Sequence, residues 1–183
     1  MILVDSTIEQ LIRDGSIVVD PLIKAVDGAS VDLHLAPSLL MYKRGLLDTH
    51  EQMTEQKYVR INFSEDGYYD FNPGEFFLGA TLESIKLPTN VAGLLFGRSS
   101  MARIGVSIHF AGFFDPGFNG TATLEIQNIG NNPVRLYAGQ SICQMVFIKT
   151  DKDANIPYFL KPSAKYNKQV LPTESRIYKD EDL

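Results

Sequence analysis

Residues 91–127 read VAGLLFGRSSMARIGVSIHFAGFFDPGFNGTATLEIQ. The two ends of this stretch, Val91 to Phe96 and Thr121 to Gln127, are short apolar runs of the kind that form strands. Between Gly97 and Glu125 lie two arginines, paired serines, a histidine, an Asp-Pro-Gly turn and a carboxylate. Chemistry this dense does not suit a plain core. Guanidinium forks and hydroxyls match phosphate oxygens, and a glutamate can move protons.

Working outward, the same strand signal recurs at Ser30 to Leu35, Leu39 to Tyr42, Phe76 to Leu82, Val134 to Tyr137 and Ile142 to Ile148. Gly, Pro, Asn and Asp punctuate the chain too often for long helices. The corners Asn72-Pro73-Gly74 and Tyr137-Ala138-Gly139 fit tight turns between strands. Seven or more short strands separated by turn signals predict an all-β sandwich or barrel. One helix of about two to three turns is expected at the start, where Ser6 to Glu9 has capping-box spacing, Ile8, Leu11 and Ile12 share a face, and Gly15 closes the end. The polar segment from Gly45 to Tyr58 reads as an excursion loop.

The 183 residues are most simply one domain, residues 1–183, large enough to bury a substantial core. The single cysteine, Cys143, excludes an intramolecular disulfide framework and reads as a small buried hydrophobe. No run has the length of a membrane span, and MILVDSTIEQ lacks the layout of a secretory signal, so a soluble, cytoplasmic protein with no membrane partner is expected. A net charge of −5 argues against broad nucleic-acid binding, which draws on clustered Lys and Arg, so phosphate recognition has to be local. Residues 159–183 form a C-terminal tail. Its stretch from Lys161 to Gln169 has little to bury and reads on composition as a mobile tail, although its lysines, Tyr166 and Gln169 suit a lid over an anionic ligand.

The order of several blocks resembles the dCTP deaminase branch of the trimeric dUTPase-like superfamily over nearly the whole chain. They are Gly28 to Leu33, GASVDL; Gly97 to Arg103, GRSSMAR; Ala111 to Phe118, AGFFDPGF; Thr123-Leu124-Glu125; Tyr137 to Gln140, YAGQ; and Ala164-Lys165-Tyr166. The resemblance implies a distorted, jelly-roll-like β-sandwich subunit, a homotrimer with active sites between subunits, dCTP or dUTP as substrate, Mg²⁺ carried on the phosphates, and dTTP as a feedback ligand. It also implies site residues. Glu125 is the catalytic proton-transfer residue, and Ser99 and Arg103 orient the water and the pyrimidine. Arg98 and Ser100 bind phosphate, the loop at Ala111 binds the base, and Asp115 accepts the sugar 3′-hydroxyl. Tyr158, Lys165 and Gln169 contact the triphosphate when the tail orders.

Each of these has a plainer reading. Glu125 can be a solvent-facing strand residue, Arg98-Ser99-Ser100 a solvated helix cap, and Asp115-Pro116-Gly117 an ordinary turn. A four-residue separation puts Ser99 and Arg103 on one face if they lie on a helical turn. Zinc is not expected, because one cysteine and three scattered histidines, His34, His50 and His109, do not supply the His-x-Glu and Pro-Cys-x-x-Cys set of zinc deaminases.

The loop His109-Phe110-Ala111-Gly112-Phe113-Phe114-Asp115 is one residue shorter than in dUTP-forming deaminases and resembles the dUMP-forming members. There a glycine at 112 is expected to leave space for a second water near the α-phosphate. The leading expectation is a zinc-independent dCTP deaminase coupled to diphosphate release. The alternatives are a monofunctional deaminase giving dUTP, a dUTP pyrophosphatase, and a non-catalytic nucleotide-binding sandwich.

Overall fold

The structure, a computed structural model, describes residues 1–109 and 111–180. Helix α1 (Asp5–Arg13) opens the fold, followed by β1 (Val18–Asp20), β2 (Ser30–His34), β3 (Ser38–Tyr42), β4 (Tyr58–Asn62) and β5 (Tyr68–Phe71). Then come β6 (Phe76–Lys86), β7 (Val91–Gly97), the single helical turn α2 (Ser99–Ala102), β8 (Val106–Ile108), β9 (Phe113–Phe114), β10 (Asn119–Asn128), β11 (Val134–Tyr137) and β12 (Ser141–Lys149). One sheet runs β4-β3-β6-β10-β8 with β1 also on β6, a second runs β2-β12-β7-β9, and β5 pairs with β11. All the ladders between these strands are antiparallel.

Period-two alternation builds the core. Leu124 and Ile126 of β10, Phe77 and Ile85 of β6, Leu33 of β2, and Met145 and Phe147 of β12 are buried in one shared cluster. The neighbouring residues Thr123, Glu125 and Gln127 of β10 therefore point to the sheet's other face. Cys143 lies inside the same core, and burial pushes its thiol well up. A fully buried pair also ties the sheets together: the His34 amide donates to Glu83 Oε2 at 2.9 Å, and the His34 ring meets the same carboxylate. β10 carries a register shift between Thr121 and Thr123. The Ala122 amide orphaned there donates to Thr81 Oγ1 at 2.9 Å, which keeps the bulge satisfied.

All seven expected strands form, and both expected corners turn with glycine at positive φ, +79° at Gly74 and +76° at Gly139. The helix start differs from the capping-box reading. Val4 is the N-cap, no side chain caps it, and Ser6 sits inside the first turn, its amide donating to Asp5 Oδ1 at 2.6 Å. Tertiary packing of Ile8 outweighs the local capping signal. Gly15, at φ +76°, does follow the helix end. The excursion loop stops at β4, which begins at Tyr58. Strands β1, β4, β5, β8 and β9 carried too few residues, or too many polar ones, to register a period. Their partner strands supply the ladder.

Candidate active site

The outer face of β10 would be solvated if nothing covered it, and the C-terminal segment does so. Gly120, at φ +141°, makes this possible, because a Cβ there would lie 2.9 Å from the Gln169 carbonyl oxygen. On either side of it the Lys168 amide donates to the Asn119 carbonyl at 2.7 Å and the Thr121 amide to the Gln169 carbonyl at 2.9 Å. The Gln169 side chain donates to the Thr121 carbonyl at 2.7 Å. Further on, the Thr173 amide meets Thr123 Oγ1 at 3.4 Å, the Ser175 amide donates to the Tyr42 hydroxyl at 2.8 Å, and Arg60 donates to the Pro172 carbonyl at 3.0 Å. Residues 168–175 are thus docked against the sheet.

Beneath this segment lies a cavity of about 470 Å³. Its walls include Phe76, Leu78, Phe114 and Phe118, and its polar groups include Asp115, Thr123, Glu125, Tyr158, Tyr166 and Gln169. Glu125 stands opposite Leu78 in the ladder and is half-buried. Burial raises its carboxyl above the ordinary 4.5, opposed in part by its own backbone and by nearby His109. His109 is fixed beside it: its amide donates to the Glu125 carbonyl at 2.8 Å, its ring meets Gln127 Oε1 at 3.2 Å, and it packs edge-on against Phe76. A partly desolvated carboxyl in an aromatic-walled cavity is a fit acid–base group. The solvent-facing reading of Glu125 is thereby set aside.

Of the residues expected at the site, Ala111, Asp115, Glu125, Tyr158 and Gln169 line this cavity. Asp115 lies 3.6 Å from Lys161 Nζ. The Tyr158 hydroxyl accepts from the Tyr166 amide at 3.1 Å. Lys165 is not in the lining; its ammonium is paired with Asp180 at 2.6 Å. Arg98, Ser99, Ser100 and Arg103 also stand outside it. They sit on and beside α2, where the Arg103 amide closes on the Ser99 carbonyl at 3.0 Å, as the four-residue spacing predicts. Ser99, Ser100 and Arg103 are exposed to solvent at and beside α2.

The reading of Gly112 needs correcting. A Cβ at this position would lie 2.8 Å from the Leu95 Cβ and 3.0 Å from the Leu95 carbonyl oxygen. Leu95 in turn donates its amide to the Gly112 carbonyl at 2.9 Å. Glycine is required here for close packing on β7, and the space it leaves belongs to Leu95, away from the cavity lining. Phe110, two residues before it, lies outside the described residues.

Tyr42, Thr173 and Ser175 are cavity residues that no sequence signal marked, and Thr123, part of a resembling block, was given no role there. Tyr42 belongs to a strand two positions across its sheet from Glu125, with β6 between, and spacing along the chain does not reveal such neighbours. Among the described residues no group of three or more His, Cys, Asp or Glu is placed to hold a metal ion, and no helix is long and apolar enough to cross a membrane.

A family model described as dCTP deaminase-like matches residues 2–150. A Dictyoglomus thermophilum protein named dCTP deaminase, dUMP-forming, is 39% identical over 184 residues, covering 97% of this chain and 95% of the relative. An Aquifex aeolicus protein of the same name is 40% identical, covering 100% of this chain and 98% of its own. Among solved structures, the 2′-deoxycytidine 5′-triphosphate deaminase of Agrobacterium tumefaciens superposes with a TM-score of 0.63 at 19% identity, covering 80% of this chain and 47% of that one. That superposition carries the fold, and the matches in sequence carry the kinship: the chain belongs to the dCTP deaminase-like family.

Proposed function

We propose that the protein deaminates dCTP and cleaves the α–β phosphoanhydride in the same site, consuming two waters and releasing ammonia, diphosphate and dUMP. The observation that carries this reading is Glu125, half-buried with its carboxyl held above the ordinary range, in a cavity walled by aromatic rings. The names and near-complete coverage of the relatives support the choice of dUMP as product. Glu125 takes a proton from the water that attacks C4 of the cytosine and returns it to the departing amine. One carboxyl performs both transfers when its proton affinity is tuned towards neutrality.

The remaining roles follow from the resemblance in sequence together with the positions just described. Asp115 accepts the 3′-hydroxyl, and the loop at Ala111 meets the base. Ser99, Ser100 and Arg103 are exposed at α2 and, with Arg98 at its start, serve the cavity of a second copy, which makes a homotrimer with shared sites the working assembly. Tyr158, Gln169 and, once released from Asp180, Lys165 close over the triphosphate, with residues 159–183, of which 181–183 lie outside the described residues, acting as a lid. The cationic and hydroxyl groups offered to the phosphates fit a magnesium nucleotide; Mg²⁺ neutralises phosphate charge when it is bound with the substrate.

Incubation of the purified protein with dCTP or dUTP and Mg²⁺, with products separated by chromatography, tests the proposal. The expected result is dUMP, diphosphate and ammonia from dCTP with little free dUTP at any time. Stoichiometric dUTP would reduce the protein to a monofunctional deaminase. Hydrolysis of dUTP with dCTP left intact would make it a pyrophosphatase.

A further inference from the structure

Asp32 is a charged residue in the middle of β2 with only 5% of its surface exposed. A buried carboxylate is costly unless cations answer it, and two do. Arg98 Nη2 and Lys24 Nζ each lie 3.3 Å from the same Asp32 oxygen, Oδ2. Arg98 follows the end of β7, which is separated from β2 by β12, so its side chain reaches back across a strand to make this contact. The ladders make the reach short: Gln144 of β12 stands opposite both Asp32 and Phe96. Arg98 is also the N-cap of α2, with extended backbone and no side-chain cap, so its guanidinium is not engaged by the turn it precedes.

We propose that Asp32 is a positioning residue for triphosphate recognition, holding the Arg98 guanidinium in place while Lys24 offsets the negative charge that this anchoring introduces. The proposal rests on the reading of Arg98 as a phosphate ligand. An arginine loses substantial rotamer freedom when it binds, and one fixed beforehand from behind does not lose it at the moment of binding. Anchoring by a carboxylate alone would leave a neutral pair and weaken attraction for an anion. With Lys24 on the same oxygen, two positive charges and one negative leave the cluster cationic. Lys24 thus joins the phosphate side of the site by charge, from a position that its sequence neighbours do not mark.

The sign of one substitution separates positioning from simple charge. Asp32→Asn removes a negative charge, so a residue acting only through the local potential would bind triphosphate more tightly when changed this way. Positioning gives the opposite: the KM for dCTP rises about tenfold while kcat changes less than about threefold, because the ordering cost returns to the binding step. The Kd of a non-hydrolysable α,β-imido dUTP, measured by calorimetry, should rise in parallel and does not depend on turnover. In an Arg98→Ala background, which itself weakens binding, adding Asp32→Asn should have little further effect. Lys24→Met, at a half-exposed side chain, should raise the same Kd about threefold at low salt and lose that effect at high salt.

Tighter or unchanged binding in Asp32→Asn, an effect that persists in full without Arg98, or no change in Lys24→Met at low salt would overturn the proposal. Unchanged binding in Arg98→Ala alone would overturn the reading beneath it, and that variant shows it separately.

Discussion

Gly120→Ala tests whether the C-terminal segment works as a lid. The added Cβ would stand 2.9 Å from the Gln169 carbonyl oxygen and 3.0 Å from its amide nitrogen, both backbone atoms, so the segment has to move away. Moving it breaks the three shortest hydrogen bonds that hold Lys168 and Gln169 on β10: Thr121 amide to Gln169 carbonyl, Lys168 amide to Asn119 carbonyl, and the Gln169 side chain to the Thr121 carbonyl. At about 1 kcal/mol net for each bond, the docked state loses about 3 kcal/mol, roughly a hundredfold in its population. The φ of +141° adds backbone strain, of order 1–3 kcal/mol, that falls on β10 itself. Hydrogen exchange of residues 164–176 reads the docking directly, and the KM for dCTP reads its consequence. The expected outcome is fast exchange confined to that segment, protected amides in β6 and β12, and a KM raised at least tenfold. Protection of the segment unchanged from wild type would refute the geometric argument. Lost protection with unchanged turnover and KM would show that the segment covers the cavity without serving it.

Glu125→Gln keeps the side chain's volume and removes its proton-transfer capacity, so ammonia release from dCTP should fall at least about a hundredfold while nucleotide binding persists; near wild-type deamination would remove Glu125 from the mechanism. The same substitution has a stability signature. Burial raises the folded-state carboxyl above its ordinary 4.5, so the folded protein holds the proton more tightly than the unfolded chain, and stability falls as pH rises through the window above 4.5. Thermal melts should therefore show the glutamine variant gaining on wild type near neutral pH and losing that advantage near pH 4. Gly112→His should melt lower by about 1–3 kcal/mol of overpacking and lose deamination and diphosphate release together, because the side chain meets Leu95; selective loss of diphosphate release in a stable protein would return Gly112 to the cavity. Chelation should abolish turnover and Mg²⁺ restore it, with no stoichiometric zinc on elemental analysis; a tightly held zinc needed for activity would overturn the assigned chemistry.

The sequence by itself determined the strand-rich class and the places where most strands run, because period-two alternation and Gly/Pro corners are local signals that a single segment carries whole. The resemblance in sequence likewise marked Glu125, Asp115, Ala111, Tyr158 and Gln169, which the fold then gathers in one cavity. Ser99 and Arg103 were legible as one helical turn for the same local reason. Tertiary structure alone decided the rest. Tyr42 reaches the cavity from β3, Thr173 and Ser175 come to it along the tail, and Asp32 meets Arg98 across β12, all through pairings between segments far apart in the chain. The docking of Lys168 and Gln169 on β10 depends on a glycine at 120 whose missing side chain makes room for another segment's backbone. Gly112 was misread for the matching reason: the residue that needs its space, Leu95, lies on a different strand. Local conformational preference is written in consecutive residues, whereas close approach depends on which distant surfaces the sheets bring together.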